Sequence, residues 1–268
     1  TFLRNRPGPA EQVEKGTYVS PLYAGPMGPG QASFVFPSAS LDTFQEWLGS
    51  DMPLPSMMLG YIGERGNSRE EILRCMREGA ASDRTAPRGT VYFVKGDDIR
   101  SKCRHWQYPG AQREIVPLGL DARIVKALPA GCPDILGLMV GQADVDPGKD
   151  NRFLPGAMAE HLTSAAGVFE SSGQTKMSAW IRAGATASAG TVVEPMSIWT
   201  KFPSAMFYAH YVRGCTILES FCQSIGSPLQ ILLLGDPLAK PWGRQNIALN
   251  VQGLPEGPLS GQIHLKAS

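Results

Sequence analysis

The sequence predicts an α/β fold, a mostly parallel sheet flanked by helices on both faces, and three observations carry that prediction. Its clearest strands are continuous apolar runs, at residues 89–94 (G-T-V-Y-F-V) and 134–140 (D-I-L-G-L-M-V); a strand that is apolar throughout is buried on both faces. Segments with helical spacing of apolar residues separate these runs. Each run also ends in a polar cluster: Asp97-Asp98, Gly141-Gln142, Glu194-Pro195 or Gly235-Asp236. In open α/β sheets, ligands gather just beyond the carboxyl ends of the strands.

Residues 1–50 are rich in Pro and Gly and read as an extended arm, with a short strand at 31–36 and a short helix at 41–48. The α/β domain is expected to cover 51–243, opening with a buried strand at 57–61. Ser68-Arg69-Glu70-Glu71 has the form of a capping box, which starts a helix running to about residue 79. After the strand at 89–94, residues 106–118 read as a helix interrupted by Pro109 and Gly110, and 121–127 as a weaker strand. Beyond the strand at 134–140, both 155–164 and 174–183 read as helices.

The chain is organised around G-A-T-A-S-A-G-T-V-V-E-P at 184–195. Its small residues allow close approach of neighbouring backbones, and Pro195 holds Glu194 extended and ends the ladder. Residues 202–225 read as one or two helices broken near Gly214, and 230–234 as the last core strand. From Asn246 the pattern alternates with period two, so 244–268 reads as the start of a β-sandwich or antiparallel β appendage.

With 268 residues, 43% of them hydrophobic and 18% charged, and a formal net charge of +1, the chain is long enough to bury a core. It lacks the basic stripe of a nucleic-acid binder. Apolar runs such as 231–234 are too short to cross a bilayer, so no transmembrane segment is expected. The five cysteines are odd in number and widely spaced, forming neither a disulfide framework nor a zinc pattern. Cys215 and Cys222 are expected two turns apart on one helix, too far for a bond. A start at Thr1 without Met, and a stop within β-type sequence, are expected of a processed or partial product.

Six motifs occur in this order: L-G-Y-I-G-E-R-G-N-S (59–68), D-I-R-S-K-C-R (98–104), D-I-L-G-L-M-V-G (134–141), L-P-G-A-M-A-E-H-L-T-S (154–164), A-G-A-T-A-S-A-G-T-V-V-E-P (183–195) and L-L-G-D-P-L-A-K-P (233–241). Together they resemble an uncharacterised bacterial family found in species that carry exosortase sorting systems. That family is similar in layout to the gingipain-like cysteine peptidases, whose catalytic domain has a caspase-like α/β fold followed by an immunoglobulin-like domain. The resemblance implies a caspase-like domain over 51–243, and export to the periplasm, the cell surface or the medium.

It also implies a His-Cys dyad, with the His in a Gly-His-Gly turn after one core strand and the Cys after the next. A thiolate is a strong nucleophile once a neighbouring imidazole lowers its pKa. Here Gln142 stands where that His is expected, and the segment after His161 offers Thr163 and Ser164 but no thiol. A helix over 155–164 would place His161 and Ser164 one turn apart. The sequence leaves three readings open. One is a binding or assembly module that has lost the dyad and joins a larger protein complex. The second is a working cysteine-type peptidase or acyl-transfer enzyme acting on protein substrates, with His161 as its base. The third is a small-molecule binding protein using Glu194 and Asp236.

Gln142, Thr163, Ser164, Glu194 and Asp236 are therefore the cleft candidates, and His161 the catalytic one. In the loop 144–151, Asp144, Asp146 and Asp150 offer hard oxygen ligands suited to calcium, although the spacing departs from an EF-hand and Lys149 opposes a cation. Asp97-Asp98 beside Arg100 reads as an ion-paired loop, and His210 among Phe207, Tyr208 and Tyr211 as a packed face. Trp199 and Trp242 are expected to pack or to line the cleft. No dinucleotide fingerprint or phosphate loop is present, so no organic cofactor is expected.

Overall fold

The computed structural model describes residues 56–128, 130–148, 150–226 and 230–243. The arm with its strand at 31–36 and helix at 41–48, and the β appendage at 244–268, lie outside the described residues.

Among the described residues seven strands form one sheet, in the order β1-β7-β6-β5-β4-β2-β3. They are β1 (Ser56–Met58), β2 (Thr90–Val94), β3 (Asp121–Val125), β4 (Ile135–Gly141), β5 (Phe153–Leu162), β6 (Ala187–Thr191) and β7 (Ile231–Gly235). Neighbours pair in parallel except β6 with β7. β2 to β6 thus share one carboxyl end, whereas β7 and β1 run the other way.

Among the described residues six α-helices cover the sheet: α1 (Arg69–Ser82), α2 (Ile99–Lys102), α3 (Tyr108–Ile115), α4 (Met177–Arg182), α5 (Phe207–Val212) and α6 (Ile217–Ser224). One face packs Val91, Phe93 and Leu233 under Tyr108, Ile115, Tyr208 and Phe221 of α3, α5 and α6. On the other face, Leu138 and Ala159 lie under Trp180 of α4, while Leu232 and Leu234 pack with Cys75 of α1 and Met177 of α4. The α/β fold with a largely parallel sheet and helices on both faces is as the sequence predicts.

Local signals explain most boundaries. Ser68 accepts from the Glu71 amide at 3.1 Å and Glu71 accepts from the Ser68 amide at 3.0 Å, completing the capping box of α1. A second box, Thr216 with Glu219, opens α6. Gly214, at φ +102°, separates α5 from α6, in a left-handed conformation that suits glycine. Cys215 lies before the Thr216 cap, so it does not share a helix with Cys222.

Three expectations are corrected. Residues 155–164 are not a helix, because Phe153–Leu162 is the ten-residue strand β5. Ala, Met, Glu and Leu favour a helix locally, but this segment sits between β4 and β6 with its last seven residues buried. The Pro155-Gly156 pair falls where the register with β4 shifts, between Ile135 and Gly137; such residues mark bulges in strands. The first strand, Ser56–Met58, is a short and partly exposed edge strand rather than a buried one. Residues 106–118 are helical as expected, an eight-residue α-helix with 3-10 turns at each end, but Pro109 and Gly110 lie in its first turn rather than interrupting it.

Candidate functional site

The parallel strands β5 and β6 deliver two of the predicted polar residues, Ser164 and Glu194, to one end of the sheet. There a cleft of about 470 Å³ is lined by Ser164 and Ala165 after β5, Val168 and Gln174 in the following loop, and Val192, Val193 and Glu194 after β6. Of the cleft candidates, Ser164 and Glu194 line it directly. Thr163 is fully buried just behind it, donating to Gln174 Oε1 at 2.7 Å and accepting from Thr191 Oγ1 at 2.7 Å through its carbonyl.

Asp236 is not part of this end. Because β7 is antiparallel to β6, Gly235 pairs with Ala187 at the start of β6, and the Asp236 amide donates to the Thr186 carbonyl at 3.0 Å. Glu194 and Asp236 are thereby at opposite ends of the sheet, which removes the small-molecule site built on both.

His161, near the end of β5, is completely buried beside Trp180. Its Nε2 is 2.7 Å from the Gln142 carbonyl, and the Trp180 indole N–H donates to Nδ1 at 3.3 Å. A carbonyl only accepts and an indole N–H only donates, so the imidazole is neutral with its proton on Nε2. Burial pushes its pKa down to about 4, and the Gln142 contact offsets only part of that. Neither nitrogen has a lone pair to spare for a nucleophile. The one-turn relation of His161 to Ser164 fails with the helix that required it.

None of the five cysteines lines the cleft, and all are free thiols. Cys75 donates to the Thr186 carbonyl at 3.0 Å, and burial pushes Cys75 and Cys222 up to about 12. Cys103 and Cys215 are also raised, again first by burial. These thiols are the opposite of the activated kind, whose pKa is depressed.

Residues that sequence reasoning passed over shape the site. Arg104, fully buried, pairs with the equally buried Glu160 of β5, donates to the Val140 carbonyl at 3.0 Å and sits over the Phe202 ring. Burial opposes the Arg104 charge, but the Glu160 carboxylate holds its pKa above the usual value; burial raises Glu160, and Arg104 offsets part of that. Arg104 falls within the D-I-R-S-K-C-R motif, yet nothing local marks its partner, which lies three strands away in sequence.

Lys176 donates to the Ala165 carbonyl at 2.9 Å, Ser171 Oγ at 3.1 Å and the Gly173 carbonyl at 2.6 Å, tying down the loop that forms one cleft wall. Gln174, at φ +64°, accepts from both Thr163 Oγ1 at 2.7 Å and the Ala165 amide at 2.8 Å through Oε1. On the facing wall Glu194 Oε1 accepts from the Met196 amide at 2.8 Å, and Met196 has φ +55°. Left-handed backbone at non-glycine residues is held only where surroundings enforce it, and it gathers at functional sites. Burial pushes the Lys201 ammonium, in the turn beyond Met196, down to about 6, with Glu194 opposing.

Asp146 Oδ1 accepts from the Gly148 amide at 3.0 Å. Among the described residues no three or more His, Cys, Asp or Glu side chains group to hold a metal ion, so the calcium expectation at Asp144, Asp146 and Asp150 gains no support here. Asp98 and Arg100 form the expected ion pair at 3.1 Å. Trp199 packs edge-to-face on Trp106 and Trp242 on Tyr211, so the two expected tryptophans serve different places. Among the described residues no helix is long and apolar enough to cross a membrane. Compared with family models, with curated proteins and with solved structures, the chain has no match.

Proposed function

We propose that this chain is an exported, gingipain-like α/β domain that lacks a working His-Cys pair and acts as a binding or assembly module in a larger extracellular or envelope complex. The observation that carries this reading is the state of His161. It is neutral, sealed from solvent and hydrogen-bonded at both ring nitrogens, beside a cleft that contains no thiol. A peptidase of the resembled kind needs a base within hydrogen-bond reach of its nucleophile, and Gln142 in the expected His position cannot transfer a proton at neutral pH. The layered, mostly parallel sheet supports the caspase-like part of the reading, and the pre-shaped cleft at the strand ends supports a binding role.

The test is labelling of the native protein with a peptide-like chloromethyl ketone, mapped by mass spectrometry and repeated on His161→Ala. Slow labelling of all five cysteines, unchanged in the variant, is expected. Rapid modification of one cysteine that disappears in the variant would establish an activated pair and overturn the proposal.

A further inference from the structure

The cleft has a chemical preference of its own. Gln174 can be oriented without ambiguity: Thr163 Oγ1 and the Ala165 amide both donate to its Oε1, so the amide oxygen faces inward and Nε2 is the group left for the cleft. On the other wall, Glu194 spends Oε1 on the Met196 amide and contributes a carboxylate acceptor. The cleft therefore offers a fixed donor, an acceptor and the Ser164 hydroxyl, between the apolar side chains of Val168, Val192 and Val193. Both polar walls are held at left-handed, non-glycine positions, Gln174 and Met196, and Lys176 clamps the Gln174 loop through three oxygens. Such a group is placed before any ligand arrives, which reduces the ordering cost of binding.

We propose that this cleft binds the backbone carboxamide of a peptide segment carrying a small branched aliphatic side chain. The peptide carbonyl accepts from Gln174 Nε2, the peptide N–H donates to the Glu194 carboxylate, and the side chain packs on Val168 and Val192. No bond is made or broken. This deepens the binding reading given above and rests on it.

The decisive substitution is Gln174→Glu. It keeps an oxygen for Thr163 and Ala165 but replaces the donor facing the cleft with an acceptor. The probe is N-acetyl-Ala-Val-Ala-amide, titrated into the ¹⁵N-labelled chain and followed by amide shifts. Saturable shifts at Gln174, Val192, Val193 and Glu194 are expected, with affinity falling about tenfold or more in Gln174→Glu while its melting temperature is unchanged. If that variant does not fold, the wild-type chain still decides: the analogue with an ester in place of the amide donated to Glu194 is expected to bind about tenfold more weakly.

Equal affinity for amide and ester, equal affinity in Gln174→Glu, shifts that map away from the cleft, or saturation by n-butylamine with none by the peptide would each overturn the assignment. The thiol-labelling experiment does not depend on this cleft. Silent thiols with a silent cleft would refute the carboxamide assignment alone, whereas an activated thiol would refute the non-catalytic reading whatever the peptide does.

Discussion

The two ends of the sheet are built from similar polar residues and come out differently. At the carboxyl end of β5 and β6, polar groups flank an open cleft, with Ser164, Gln174 and Glu194 on its walls. At the other end the polar groups face one another. Tyr211 donates to the Gly156 carbonyl at 2.8 Å, the Gly156 amide donates to Thr186 Oγ1 at 2.8 Å, and Asp236 is 9% exposed against Gly79 of α1. The segment 239–241 then covers this end, the Ala86 amide donating to the Pro241 carbonyl at 2.9 Å. The lesson is that strand direction decides which end a terminal carboxylate reaches: Glu194 follows β6, which runs with β2 to β5, whereas Asp236 follows β7, which with β1 runs the other way.

The largest expected effect breaks the support under the open end. Arg104→Met leaves Glu160 buried without its partner and is expected to lose about 3–5 kcal/mol in urea unfolding. Adding Glu160→Leu should restore most of it, since replacing a buried pair by apolar groups is often neutral. A double variant as unstable as the single one would mean that Arg104 acts through its carbonyl and ring contacts rather than through the pair.

Next comes a pH dependence to which two buried histidines contribute. Burial lowers both His161, by the cleft, and His210, on α5, to about 4. Both are neutral when folded, while the unfolded chain takes up protons below about 6.5. Their stabilisation is thus complete above about pH 6.5 and is lost as pH falls towards 4, on the order of 2 kcal/mol for each by pH 4.5. Unfolding at pH 7 and 4.5 checks this, with His210→Phe expected to shrink the difference. No change in that difference would show that His210 does not titrate as its burial implies.

The smallest effect sharpens the contrast directly. A Cβ at Gly79 would meet the Asp236 carboxylate, so Gly79→Ala is expected to destabilise by about 1–3 kcal/mol despite the better helix propensity of alanine. Ser164→Ala, in the open cleft, should stay within about 0.5 kcal/mol. Equal melting temperatures for the two variants would remove the distinction between a closed and an open end.

Much of this architecture is legible residue by residue. The strand at Thr90–Val94 and that at Ile135–Gly141 announce themselves by continuous apolar runs, and the α1 boundary by Ser68 and Glu71. Glu194 was found from the rule that sites follow strand ends, whereas Ser164 was named for its place after His161, on a segment read as helix that is the end of a strand. Gln174, Lys176 and Arg104 were not, because each acts through partners that sequence spacing does not reveal: Gln174 and Lys176 on backbone brought back by a loop, and Arg104 on a glutamate three strands later.

By itself the sequence determined the alternation of strands and helices, because apolar period and capping are local and survive any topology. It also determined that Gln142 rather than an imidazole follows Gly141 and that no thiol lies between Cys132 and Cys215. Only the tertiary structure decided that 153–162 is a strand, since burial between two neighbours outweighs the helix propensity of Ala, Met, Glu and Leu. The same holds for the direction of β7, which sends Asp236 away from Glu194. It holds as well for His161, whose protonation state is set by a carbonyl and an indole nineteen positions away on either side. Strand direction and burial are properties of the packed sheet, and no window of sequence contains them.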